Sequence, residues 1–475
     1  MNALNPVSAI ENNCISARTK LCYSSTNFAF ILWLHQHHRH VLHPAIVDQI
    51  DAVITNDPRV QLKRLCKIII DDWLNKMERT NPELCPVDMT QVTYDLVASY
   101  MTSKTNNENK YFGRGTYVGV RSSIVYLFTM SNHPPPAGFR DRMATLMKGF
   151  KRTIVEHRVA AGETLEEGKD AMSFSCLKLL CKKFFEGDKN EYHFAHLFLL
   201  LEWNLMARSD NIVHLHVNDF EFQDDALLVY MKKTKTDQEG NHGRTPYNCY
   251  FNAVDPHLNL GLALGVYLLS NPGIVSNPQN KLFPAEHQYN WYTSILNNII
   301  EANKEEFARI GVQPGTIGTH SARKGAATYA SNGLTSSPSL GAICRRAGWK
   351  MSGTHEKYIK FEKAGDQYLG RLLCGLNVLL PEFALTPPFF NCLEDELNEI
   401  DVVLMSFVPG SPVISAITFE VLHMCFASVV YHHDFLIGHL HENNRFRSHP
   451  ALCHLPEVSV PCHGLFICVL CYCYY

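Results

Sequence analysis

A histidine, two arginines, a lysine, a tryptophan and a tyrosine stand in the middle of this chain at spacings that suit one reaction. His320-Ser-Ala-Arg323 is followed by Gly348-Trp349, and Tyr358 lies nine positions after that tryptophan. Arg208 precedes them, with Lys235 twenty-seven residues further on, inside Lys232-Lys-Thr-Lys-Thr-Asp237. Transferring a phosphodiester without metal or cofactor needs cations on the non-bridging oxygens, an in-line nucleophile, and proton carriers for the attacking and leaving oxygens. Positioning and electrostatics supply nearly all of it. Arginine suits the grip, because its planar fork meets phosphate bidentately and keeps its charge. Tyrosine suits the attack only where neighbouring cations lower a hydroxyl pKa that is otherwise about 10. Singly, each residue has an ordinary explanation: Arg208 and Arg323 as surface arginines at helix ends, Trp349 as a core aromatic, Tyr358 as one of twenty tyrosines, His-x-x-Arg as a chance pair among 24 histidines. The ordered set carries the information.

That order resembles the tyrosine recombinase (phage integrase) family. The stretches His320-Ser-Ala-Arg-Lys-Gly-Ala-Ala-Thr-Tyr-Ala330 and Lys233-Thr-Lys-Thr-Asp-Gln-Glu-Gly240 resemble the recombinases of eukaryotic Crypton-type mobile elements more than bacterial integrases. The resemblance covers residues 60–380 and is most specific over 200–365. It implies that Arg208 and Arg323 bind the non-bridging oxygens of a scissile phosphate and that Lys235, with Lys233 as the alternative, protonates the leaving 5′ oxygen. His320 would manage the proton of Tyr358, and Trp349 would give an indole N–H to the phosphate. Tyr358 would form a 3′-phosphotyrosine, which conserves the bond energy, so that no ATP or other cofactor is implied. The implied partner is double-stranded DNA, with copies assembling as a tetramer on paired sites, and the implied compartment is the nucleus. Where the family has an acidic residue three positions after its first arginine, this chain has Asn211, with Asp210 one residue early. Two neighbouring readings stay open: a DNA-binding protein of the same fold that no longer cuts, and a type IB topoisomerase-like enzyme. A purely structural helical protein is the reading furthest from the residues.

The elements that must hold these residues are mostly helices. Leu62, Leu65, Cys66, Ile69, Trp73 and Met77 recur at helical steps. Further helices are expected over 90–102, 116–130 and 139–160, the second ending at His133-Pro-Pro-Pro136. In the third, Met143, Met147, Phe150 and Ile154 form an apolar stripe, while Lys148, Lys151, Arg152 and Arg158 lie off it. That basic face fits a phosphate backbone, although a solvated helix face has the same pattern. Gly162–Asp170 reads as a linker. Helices follow over 173–185 and 192–207, the second apolar nearly all round and so central. Strands are expected at 226–231 and 245–251, then helices at 256–270, 289–309, 321–331 and 339–347, and a last one containing Tyr358. The expected fold is mainly α with a small β-sheet or hairpin. Four segments follow: 1–59 unassigned, 60–162 a helical DNA core-binding domain, 163–380 the catalytic domain, and 381–475 an acidic C-terminal extension.

Charge agrees locally. The whole chain carries −3, but residues 381–475 hold ten acidic residues against Arg445 and Arg447, which leaves +5 for the rest. Around the proposed nucleophile, Arg323, Lys324, Arg345, Arg346, Lys350, Lys357, Lys360 and Lys363 face only Glu356 and Glu362. Lys324, Arg345, Arg346 and Lys350 are therefore expected to touch DNA. Sixteen scattered cysteines suggest buried or free thiols in a reducing compartment. Neither the apolar run 28–34 nor 465–475 is long enough for a membrane span, so a soluble intracellular protein is expected. No metal site is expected. The irregular His35–His43 tract reads as a solvated segment, and Cys468-x-x-Cys471 with Cys473 lacks a second zinc half.

Overall fold

The structure is a computed structural model that describes residues 15–56, 62–79, 84–162, 168–231, 245–277, 279–332, 336–349, 363–391, 394–408, 414–453 and 466–468. The chain is mainly helical with a small three-stranded antiparallel sheet, and it divides into two compact units at 167/168, inside the expected linker.

The first unit, residues 1–167, contains helices α1 (Ala17–His37), α2 (Pro44–Asn56), α3 (Leu62–Arg79), α4 (Tyr94–Ser103), α5 (Arg114–Met130) and α6 (Phe139–Ala160). The segment 1–59 that showed no period therefore holds two helices. Phe30, Ile31 and Leu34 of α1 and Ile46 and Ile50 of α2 share one core with Ile124 and Phe150. Buried polar residues hid the pattern. Asn27 bonds with the Ser123 hydroxyl, and His35 Nε2 lies 2.9 Å from Asp51 Oδ1. The histidine tract is mixed: His37, His40 and His43 are exposed as expected, while His35, Val41 and Leu42 are buried, His35 against the part-exposed Asp51.

The second unit, residues 168–475, begins with α7 (Phe174–Phe185), capped by Ser173 through its hydroxyl to Cys176 N–H. Next comes α8 (Glu191–Asn204), buried along nearly its whole length as its apolar composition requires. A one-turn helix α9 (Ser209–Ile212) follows, then β1 (Phe220–Gln223), β2 (Ala226–Val229) and β3 (Tyr247–Cys249). The strands pair antiparallel in the order β1-β2-β3, with Phe220 opposite Val229 and Val229 opposite Tyr247. The β2–β3 pairing was legible; β1, only four residues long, was not. Beyond the sheet come α10 (Leu260–Ser270), α11 (Gln288–Ala302), α12 (Lys304–Arg309), α13 (Ser321–Asn332), α14 (Leu340–Arg346) and α15 (Lys363–Leu373). The single helix expected over 289–309 is broken at Asn303, whose side chain turns back to cap Ile299 O.

Described apolar residues of 381–475 join the core of the second unit. After β4 (Phe389–Asn391) and α16 (Glu394–Ser406), helix α17 (Ala416–Tyr431) buries Val421, Leu422, Cys425, Phe426 and Val429 in the core of this unit. It crosses α10 so closely that a Cβ on Gly265 would lie 2.9 Å from the Cys425 carbonyl oxygen. Acidic residues outnumber basic ones in this stretch, but its apolar face decides where it sits.

Candidate active site

Arg323 is the centre from which the site can be built. It lies in the first turn of α13, three residues after His320, which sits in the turn just before the helix. Its Nη1 donates to Met206 O at 2.7 Å and its Nη2 donates to Ala347 O. These carbonyls belong to two sharp turns that present other residues of the ordered set.

At the end of α8, Met206 takes a left-handed conformation (φ 45°) and Ala207 N–H reaches back to Glu202 O. The chain reverses, and Arg208 emerges in extended conformation as the N-cap of α9. At the end of α14, Trp349 N–H bonds Cys344 O at 2.8 Å while Gly348 is left-handed (φ 60°), the helix-ending arrangement that favours glycine. The Gly-Trp pair is thus a helix stop that sets the direction of Trp349, whose side chain is 45% exposed. The Arg323 guanidinium carbon is 6.0 Å from the Trp349 ring centroid. Two of the five N–H donors of Arg323 hold the flanking turns, and three are left for a ligand.

Electrostatics point the same way. Burial, and then the like charge of Arg208, pull the Arg323 pKa down to about 10. It remains a cation at neutral pH. No carboxylate is among the groups acting on it; the Tyr247 hydroxyl at the start of β3 is the remaining influence. Among the described residues, no hydrogen bond or ion pair occupies the Arg208 guanidinium. Two arginines whose like charges act on one another suit an anion.

His320 is exposed, and its carbonyl accepts from Lys324 N–H at the start of α13. That start is locked from behind: Met172 N–H bonds Ser321 O, and a Cβ on Gly325 would come within 1.9 Å of Met172 O. Lys324 is exposed and donates through Nζ to Lys169 O at 2.6 Å. Arg345 is half-buried. Tyr358, Lys350, Lys233 and Lys235 lie outside the described residues. The strand ends Val229 and Tyr247 that flank the lysine-bearing connection face each other, and Tyr247 approaches Arg346 at 5.9 Å from ring centroid to guanidinium carbon.

Arg346 departs from expectation. It is 1% exposed, so it does not reach a DNA backbone. Its Nε donates to Asp366 Oδ1 at 2.8 Å, its Nη1 to Asn204 O at 2.9 Å, and its Nη2 to Asn248 O at 2.9 Å and Asp366 O at 3.1 Å. Asp366 Oδ2 in turn accepts the backbone and side-chain N–H of Asn248, both at 2.8 Å. The pair ties α8, β3, α14 and α15 together under the two turns. Burial alone would lower the Arg346 pKa, but Asp366 holds it above its ordinary value. Tyr368, the nearest other tyrosine after Tyr358, donates its hydroxyl to Ser336 O at 2.6 Å.

Sequence reasoning passed over Glu202, Ser209 and Thr319, which are buried beside Arg208 and His320 in the chain. The signal was available: Glu202 is the one acidic residue inside the apolar run 194–207, and a charge in an all-buried helix is an informative exception. In the first unit, Met143, Met147, Phe150 and Ile154 are buried as the stripe implied, and Lys148, Lys151 and Arg152 are exposed. Among the described residues, no three or more His, Cys, Asp or Glu side chains are grouped to hold a metal ion, and no helix is long and apolar enough to cross a membrane. No protein-family model matches the chain, and no curated protein matches it.

Proposed function

We propose that the chain is a DNA strand transferase of the tyrosine recombinase kind, cutting and rejoining duplex DNA through Tyr358. The observation that carries this reading is Arg323. It uses two donors to fix the turns of Arg208 and Trp349 and feels the like charge of Arg208. Two interacting arginines beside an exposed indole, with the exposed His320 just before α13, suit a phosphate that must be gripped on both non-bridging oxygens. Lys235, or Lys233, would protonate the leaving 5′ oxygen, and His320 would take the Tyr358 proton. The tetramer on paired sites and the nuclear location belong to this same reading. The test is a pool of nicked duplexes with randomised sequence, incubated with the wild-type protein and run on a denaturing gel. A protein–DNA band that survives denaturation is the expected result. DNA binding without any such band would leave a non-cutting binder of the same fold, and relaxation of supercoiled plasmid without a preferred site would favour the topoisomerase-like alternative.

The first unit adds a second, independent expectation. Lys148, Lys151 and Arg152 together are the side chains of α6 that meet phosphates in this reading. Replacing all three by glutamine should weaken duplex binding and lower the log–log salt slope by about 0.9 for each phosphate that is no longer neutralised. An unchanged slope in a fluorescence titration would place α6 away from DNA.

A further inference from the structure

The geometry points to Glu202 as a positioning residue that, in its neutral acid form, ties the Arg208 turn to the His320 loop through Ser209. This rests on the strand-transfer reading for its consequence, though not for its geometry. Glu202 is fully buried on α8. Its Oε1 is hydrogen-bonded to the Ser209 hydroxyl, and the same hydroxyl lies 3.4 Å from Thr319 O. Ser209 directly follows Arg208, and Thr319 directly precedes His320, so one hydroxyl bridges the backbones that carry both residues.

A serine hydroxyl has one proton to give. When Glu202 is a neutral acid with its proton on Oε1, it donates to Ser209 Oγ, and Ser209 is free to donate onward to Thr319 O. When Glu202 is ionised it can only accept, so it draws the Ser209 proton to itself and the Thr319 carbonyl loses its donor. The bridge therefore closes only on the protonated carboxyl. The surroundings favour that form: burial raises the Glu202 pKa to about 8, against the smaller opposing effects of the Ser209 and Tyr292 hydroxyls. Tyr292 from α11 faces the carboxyl, with Cys176 and Cys181 from α7 behind it. Burial holds Tyr292, Cys176 and Cys181 in their neutral forms. No charged group acts on Glu202 from any of these elements. Apart from the Ser209 and Tyr292 hydroxyls, no group among the described residues acts to hold a carboxylate here.

Glutamine copies the neutral acid, with a donor and an acceptor on the same frame but no proton to lose. The experiment compares wild type, E202Q and E202L by amide hydrogen exchange, corrected for intrinsic rates, in peptides spanning the Arg208 turn and the Thr319–His320 loop. At about pH 7, wild type and E202Q should be equally protected and E202L less so; at about pH 9.5 wild type should lose protection while E202Q keeps it. The rate of covalent trapping on nicked DNA should follow the same pattern, with E202L slower by roughly a hundredfold. Identical exchange in wild type and E202Q at both pH values, or exchange in E202Q as fast as in E202L, overturns the inference. If the exchange pattern holds while wild type traps no DNA, the strand-transfer reading falls and the bridge stands.

Discussion

Arg346→Met should cost the second unit roughly 3–5 kcal/mol, because it strands the Asp366 carboxylate in the core without its cation. The loss is larger than for an exposed arginine, whose ion pairs contribute about 0–1 kcal/mol. Arg346 is buried with all its bonds directed inward, to Asp366 and to the Asn204 and Asn248 carbonyls. For residues 168–475 each kcal/mol shifts Tm by roughly 1.5 °C, so a fall of roughly 5–8 °C is expected by calorimetry. Arg346→Met combined with Asp366→Leu should recover part of the loss, since neither charge is then left alone. Full recovery is not expected, because Asn248 N–H and the two carbonyls lose partners as well. A single variant with unchanged Tm and a reduced salt slope for DNA binding would restore Arg346 to the DNA-contacting set.

That misassignment shows where sequence reading stops. Arg345 and Arg346 are adjacent at the end of one helix, and composition treats them alike. Burial separates them, because α14 turns its Arg346 face toward Asp366, a residue twenty positions away. Long-range pairing of this kind leaves no periodic trace. Features written in local chemistry were legible: the helices beginning near Ser173 and Ser339, the apolar α8, the stripe of α6 and the strands β2 and β3. The helices α1 and α17 were hidden for a different reason. Their buried faces include polar residues, Asn27 of α1 bonded to Ser123 far along the chain and Thr418 and Ser428 of α17 bonded locally, which blurs a hydrophobic period. In the site, the order of Arg208, His320, Arg323 and Trp349 was readable, but the reason they meet was not. Arg323 joins the turns of Arg208 and Trp349 through the carbonyls of Met206 and Ala347, and no sequence pattern encodes an acceptor that every residue possesses.

Tyr358→Phe should abolish covalent linkage to DNA while leaving stability and duplex affinity close to wild type, because only a hydroxyl is removed. Arg323→Ala should behave differently. It removes a transition-state cation, which typically costs a hundredfold or more in rate. It also releases the Met206 and Ala347 carbonyls that aim Arg208 and Trp349, so ground-state grip on the phosphate should fall with the rate. Arg323→Lys keeps a charge but has too few donors to hold two turns and a phosphate, and so should recover little. The readout is a nicked suicide duplex incubated with each variant, resolved on a denaturing gel, beside a parallel binding titration on intact duplex. Tyr368→Phe is the control. The Tyr368 hydroxyl already donates to Ser336 O, so its loss should leave the covalent band in place. A band that persists in Tyr358→Phe and disappears in Tyr368→Phe would transfer the nucleophile to Tyr368. Equal loss of band and affinity in Tyr358→Phe would mean that its hydroxyl serves binding and not attack.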